Sequence, residues 1–173
     1  AFFTSDTVTF EGKHYHLHQL DAFPKPLQKP HPPIMIGGRQ KRMLQLAARE
    51  ADIVSISLLD RLIAGVASPP TFGDKVSWVR QAAGSRLDHI EIHINAASMI
   101  VTDKARGTLD ELATRQQSTP EALLQSPAVL VGSTDAIVDR MHQLRDQFGV
   151  SYFAVNQRVM DNVAPVVAKA VGK

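Results

Sequence analysis

The chain has 173 residues, 44% of them hydrophobic and 21% charged, a globular composition that excludes disordered and fibrous classes. Lysine and arginine number 19 against 17 aspartates and glutamates, and no basic run is dense enough for a nucleic-acid stripe. The absence of cysteine excludes a disulfide framework, thiolate-ligated metal and thiol catalysis, and fits a reducing, cytoplasmic setting. No apolar run approaches the ~18 residues of a membrane span and no signal peptide is visible. Neither nucleic acid nor membrane is therefore expected as a partner. The chain opens Ala1-Phe2-Phe3, without methionine, and the expectation is a truncated N-terminus.

Residues 8–18, VTFEGKHYHLH, alternate apolar and polar about Glu11-Gly12-Lys13 and predict a hairpin. Residues 23–33, FPKPLQKPHPP, predict a stiff, extended connector, with a PxxP adaptor ligand as the lesser reading. The run Ile34-Met35-Ile36 ends at Gly37-Gly38, and helical spacing follows, with Met43, Leu46, Ala47 and Glu50 along one side and Leu44 and Ala48 beside it. ADIVSISL (51–58) reads as a strand. DKVSWVRQAAG (74–84) reads as a helix closed by Gly84. IEIHINAASMIV (90–101) reads as the longest strand, with Asp103 as the expected cap of a further helix.

Ser118-Thr119-Pro120-Glu121 starts another helix, with proline in its first turn. Ala128 to Gly132 leads into the capping cluster Ser133-Thr134-Asp135. The helix after it carries Ile137, Val138, Met141, Leu144 and Phe148 on one face and stops at Gly149. VSYFAV and a last helix over 160–171 follow.

Strands thus alternate with helices, which predicts a parallel sheet with helices outside it. The strands near 34, 53, 91 and 151 are rich in Ile and Val, as buried parallel strands are. They are expected side by side. A complete eight-stranded barrel needs ~250 residues, so residues 34–173 amount to about half of one, behind a hairpin and proline segment at 1–33.

Four groups of residues invite chemistry. Gly37-Gly38 between strand and helix lets a backbone approach a ligand, and the helix N-terminus offers free N–H groups to an anion. Arg39, Lys41 and Arg42 oppose the helix dipole there. A tight turn with solvated charges explains the same residues. Ser55 and Ser57 share a face with Ile53, while Val54, Ile56 and Leu58 share the other. Ser57 falls at the strand's C-terminal end, where barrel sites are built; a hydroxyl bonded to a neighbour inside the barrel is the alternative. His14, His16 and His18 at period two place three imidazoles on one strand face, a zinc geometry. The plainer reading, which we favour, is the wet face of a hairpin with Tyr15 and Leu17 packed beneath. Glu91, His93 and Asn95 share a face as a satisfied polar group or as barrel lining, and Trp78 reads as packing.

The ordered set of segments resembles the luciferase-like monooxygenase superfamily. It comprises Phe10-Glu11-Gly12-Lys13-His14-Tyr15, Pro24-Lys25-Pro26-Leu27-Gln28-Lys29-Pro30, Pro32-Pro33-Ile34-Met35-Ile36-Gly37-Gly38, Leu46 to Val54, Leu130-Val131-Gly132-Ser133 and Gly149-Val150-Ser151-Tyr152-Phe153. Within that superfamily the chain is most similar to the deazaflavin (coenzyme F420)-dependent oxidoreductases. The resemblance implies an α/β fold, the C-terminal half of a (β/α)8 TIM barrel with strands five to eight behind a β-hairpin insertion. It implies cofactor contacts at Gly37 and Gly38, and at the backbone of Gln40 and Lys41, with Ser57 near the substrate. Arg39 and Gln40 stand where members of this branch often carry further glycine. The family's proton-transfer residues lie in strands one to four, so no catalytic residue is assigned.

The implied activity is hydride transfer between a small organic substrate and bound F420. The alternatives are an FMN-dependent monooxygenase of the same class and a non-catalytic half-barrel that binds a phosphate-bearing ligand. Alone, the chain is expected to be inactive and to form a homodimer.

Overall fold

The computed structural model describes residues 2–58 and 69–171. Its internal packing divides into two compact units, Ala1–Ile34 and Met35–Lys173. In the first unit, β1 (Thr7–Glu11) pairs antiparallel with β2 (His16–Asp21). Gly12 closes the connection by donating its N–H to the carbonyl of Tyr15 at 2.9 Å.

The second unit begins with β3 (Met35–Gly38), α1 (Lys41–Glu50), β4 (Ile53–Ile56) and α2 (Phe72–Ala83). A 3-10 turn leads to β5 (Glu91–Ala96) and β6 (Ser98–Val101). Next come α3 (Ala105–Gln116), α4 (Pro120–Gln125), β7 (Val129–Gly132), α5 (Thr134–Phe148), β8 (Val150–Val155) and α6 (Met160–Ala170). β3, β4, β5 and β8 form one sheet in that order, every pair parallel. This is the adjacency expected from the alternation of buried strands with amphipathic helices. β3 and β8 are its edges.

The segment read as one strand over 90–101 is two. β5 pairs with β8 as far as Ala96 opposite Val155, where β8 ends, with one register shift between Ile92 and His93. Past Ala97 the chain takes a new partner, and β6 pairs in parallel with β7. The residue pattern does not reveal this change, because EIHINA and SMIV both read as strands.

The helices cover one side of the four-stranded sheet. Leu44, Val54, Ile94, Val79, Leu144 and Val150 are fully buried there. On α1 the buried stripe is Leu44, Ala47 and Ala48. Met43 and Leu46, expected on the packed side, are 43% and 40% exposed. The α1 C-terminus is closed from outside the helix: Arg86 donates to the carbonyls of Ala48 and Ala51 at 2.7 and 3.0 Å. This satisfies acceptors that the helix leaves open.

Thr71 and Asp74 form a capping box on α2, and Phe72 meets Phe148 of α5 edge to face. Trp78 is half-buried against the core, as its packing role requires. α5 ends at Gly149, whose left-handed φ of 79° suits glycine at a helix terminus. α3 starts from Lys104, with no side-chain cap, so Asp103 is not the cap that the sequence suggested.

Candidate functional site

The C-terminal ends of β3, β4 and β5 bring several of the flagged residues together. Gly38 and Ser57 belong to different strand ends, and the Ser57 N–H donates to the Gly38 carbonyl at 2.8 Å. The two glycines serve different purposes. A Cβ on Gly38 would lie 2.7 Å from Met43 Cγ and 3.0 Å from Met43 Cβ, so its bareness is what lets α1 pack against the strand end. A Cβ on Gly37 would meet only Ser55, at ordinary contact distance, and Gly37 is exposed. Neither glycine has a positive φ; close approach, not handedness, accounts for the pair.

The helix begins at Lys41, two residues later than the Arg39 start that the sequence suggested. Gln40 is its N-cap but makes no side-chain capping bond. The first internal bond runs from the Leu44 N–H to the Gln40 carbonyl. The N–H groups of Lys41, Arg42 and Met43 therefore have no partner among the described residues, as a helix start dictates. Lys41 and Arg42 are exposed, with no acid in the first turn.

One row of the sheet crosses four strands as Gly37, Ser55, His93 and Tyr152. Ser55 Oγ and His93 Nδ1 share a hydrogen bond of 2.9 Å, with the donor set by the imidazole tautomer. The Tyr152 ring meets His93 edge to face at 4.7 Å. Burial pushes the His93 pKa below its ordinary value of 6.5, so the ring is neutral at neutral pH. Of the two readings open for Ser55 and for Glu91, His93 and Asn95, the structure gives Ser55 and His93 the bonded polar pair. It leaves Glu91 and Asn95 exposed.

Ser57 and Asn95, together with Ser55, line a cavity of about 490 Å³ with Leu58, Gln116, Leu123 and Val129. The cavity lies at the ends of β4 and β5, beside α3 and α4. Lys75 was not flagged by sequence. It is fully buried on α2 and donates to the Ser57 carbonyl at 2.7 Å. The available signal was its position four residues before Val79, on the apolar side of the helix.

His14, His16 and His18 do not form the shared face that the alternation implied. His14 lies in the turn, outside both strands. His16 bonds Glu11 at 2.6 Å instead. Tyr15, expected beneath them, is 75% exposed because it too belongs to the turn. Among the described residues no group of three His, Asp or Glu could hold a metal ion. Among the same residues, no helix is long and apolar enough to cross a membrane.

Residues 1–106 match the model of the luciferase-like monooxygenase family. The FMNH(2)-dependent dimethylsulfone monooxygenase of Pseudomonas putida is 27% identical over 125 residues, which are 71% of this chain and 32% of that protein. Among solved structures, the coenzyme F420-dependent tetrahydromethanopterin reductase of Methanopyrus kandleri superposes with a TM-score of 0.69 at 15% identity. That match covers 98% of this chain and 58% of the reductase. The monooxygenase RslO1 of Streptomyces bottropensis gives 0.65 at 18% identity, over 97% of this chain and 57% of its own. The chain thus spans about a third of its curated relative and under three fifths of these structures. With its parallel α/β sheet and this match across more than half its length, the chain belongs to the luciferase-like monooxygenase family.

Proposed function

We propose that this chain supplies strands five to eight of a (β/α)8 barrel oxidoreductase that transfers hydride between a small organic substrate and a bound deazaflavin. The observation that carries the reading is the start of α1. Three N–H groups without partners among the described residues, two cationic side chains and the bare, exposed Gly37 meet there, next to the strand end that carries Ser57. Hydrogen-bond donors and positive charge fit a phosphate. Gly37, Gln40 and Lys41 would hold the tail, while Gly38 keeps α1 in place.

The cofactor supplies the hydride chemistry. The residues of this chain bind its tail, present Ser57 and Asn95 to a substrate in the adjoining cavity, and screen that cavity from water with Leu58, Leu123 and Val129. A second reading, a reduced-FMN monooxygenase, is favoured by the relationship to the dimethylsulfone enzyme. Family members act on small molecules; dimerisation is a separate proposal, tested below.

Titration with F420 and FMN of the protein carrying all eight strands tests both readings. Gly37→Asp places a carboxylate beside the phosphate with space for its Cβ, and should weaken the cofactor that binds by about tenfold or more. Gly38→Asp is the poorer probe, because its first side-chain atom already collides with Met43. Unchanged affinity in Gly37→Asp removes the phosphate site. Binding of neither cofactor leaves a non-catalytic barrel.

A further inference from the structure

A second cavity, also of about 490 Å³, opens where β5 gives way to β6. It shares Ala97 and Gln116 with the Ser57 cavity, so the two adjoin. Their linings differ in charge. Among the described residues, the first is lined by no charged side chain. The second holds Arg115, from the last turn of α3, and Arg158, from the turn after β8, with no acid among its described lining residues.

Three other arginines of the unit have partners. Arg106 pairs with Asp110 and Glu121, Arg80 donates to the Gln147 carbonyl, and Arg86 closes α1. The guanidinium groups of Arg115 and Arg158 have no partner among the described residues. The helix dipole accounts for a cation at the end of α3, but not for its convergence with Arg158 on one cavity.

The backbone adds a donor. Ser98 gives its N–H to the carbonyl of Ala128, just before β7, and Thr102 gives its N–H to that of Gly132, at the end of β7. By alternation the main-chain groups of Met99 and Val101 face the opposite edge. Asn162 meets both groups of Val101, at 2.9 and 3.3 Å. Met99 lines the cavity, is 3% exposed, and its N–H has no partner among the described residues. A buried N–H left unmet in this way calls for a ligand or solvent acceptor. At the same wall, Asn156 accepts the Arg158 N–H through Oδ1 at 2.9 Å, which leaves its amide NH2 to donate.

We propose that this cavity is an oxyanion subsite. Arg115, Arg158 and the Met99 N–H take the carboxylate, sulfonate or phosphate head of the substrate whose body fills the Ser57 cavity. The substrate class is then a small amphiphilic anion. This inference deepens the oxidoreductase reading and rests on it.

The test is titration of the isotope-labelled 173-residue chain with sodium hexanoate, 1-hexanol and inorganic phosphate, followed through the Met99 amide and the arginine side-chain resonances. Hexanoate should shift all three groups and bind at least about tenfold more tightly than hexanol. Arg115→Gln and Arg158→Gln should each weaken hexanoate by about tenfold, the loss of one charge-assisted hydrogen bond. Arg→Lys at either position should retain most of the affinity. Both side chains are exposed, and unchanged amide spectra elsewhere verify the fold of the variants.

Equal binding of hexanol, or indifference to both Gln substitutions, overturns the subsite. Displacement of hexanoate by FMN or F420, with cofactor binding weakened by the same substitutions, assigns the arginines to the cofactor and overturns the substrate assignment. Failure of hexanoate while Gly37→Asp still weakens a cofactor removes this proposal alone. Hexanoate binding in a protein that takes neither cofactor overturns the redox reading instead.

Discussion

On the helix-covered side of the four-stranded sheet, Val54, Ile56, Ile92 and Ile94 are at most 3% exposed. On the other side the same strands carry Gly37, Ser55, His93, Asn95 and Tyr152. Successive residues of β5 thus alternate between a close-packed apolar layer and a row of small or polar groups. Strand pleating makes this possible, since neighbours point to opposite faces. Side chains of α1, α2, α5 and α6 join the buried cluster on the packed face, with α1 against β3 and β4 and α5 against β8. The polar face carries the bonded Ser55 and His93, and at its end opens to the Ser57 cavity. Stability and site are therefore separable along one strand, residue by residue.

The sharpest way to break this comparison is to truncate two neighbours. Ile94→Ala removes a side chain with no exposure and should cost about 2–5 kcal/mol. Asn95→Ala, on an exposed residue with no hydrogen bond to its side chain among the described residues, should stay within about 0.5 kcal/mol. Urea unfolding of both variants measures the difference. Equal costs would mean that the polar face is also structural. Next in size is association. β3 and β8 end the sheet, with edges unpaired among the described residues, and such edges template pairing. The 173-residue chain should sediment as a dimer at low micromolar concentration, and a stable monomer would show that this half needs no closure. Ile92 and Ile94 do not contribute to that pairing, although alternation alone allowed them to face inward. They lie under the helices, and Met35, at 43% exposure, and Tyr152, at 41%, are the larger apolar groups left on the other side.

The glycine pair sharpens the contrast. Gly38→Ala forces a Cβ against Met43 and should cost about 1–3 kcal/mol, as overpacking does. Gly37→Ala meets only ordinary contacts and should change stability by less than about 0.5 kcal/mol. Thermal unfolding of the two variants decides between packing at one glycine and packing at both.

Much of this was legible in the sequence, for reasons specific to each element. Buried parallel strands announce themselves by Ile and Val runs, and α5 by its period and its Gly149 stop. Ser55 was placed on the right face because a β period of two leaves little choice. The break at Ala97 was not legible, since what changes there is the partner strand, and partners are tertiary. The bond between Ser55 and His93, 38 residues apart, was hidden for the same reason, as was the convergence of Arg115 and Arg158. The hairpin failed at a finer scale: alternation ran through the turn, and so His14 and Tyr15 were assigned faces in a strand they do not enter.

The smallest expected effect lies in the pH dependence of stability, and it tests whether His93 belongs to the polar face as a neutral group. Burial lowers its pKa in the folded chain below the 6.5 of a free imidazole. Above that value both states hold the neutral ring, and the group's contribution to stability is fully present. As pH falls below 6.5 the unfolded chain binds the proton first and gains free energy that the folded chain does not. Stability is then lost progressively, until the folded ring also protonates. Urea midpoints taken from pH 8 downward should be flat to near 6.5 and fall beneath it. His93→Gln keeps a polar partner for the Ser55 hydroxyl but cannot titrate, so it should remove part of that fall. Six other histidines are present in the chain, and the difference between the two curves isolates this one. Parallel curves for wild type and His93→Gln would mean that the ring takes up its proton in place. The face bearing Ser55 and His93 would then be wet enough to hold a charge, and the separation between a packed side and a sheltered polar side would not stand.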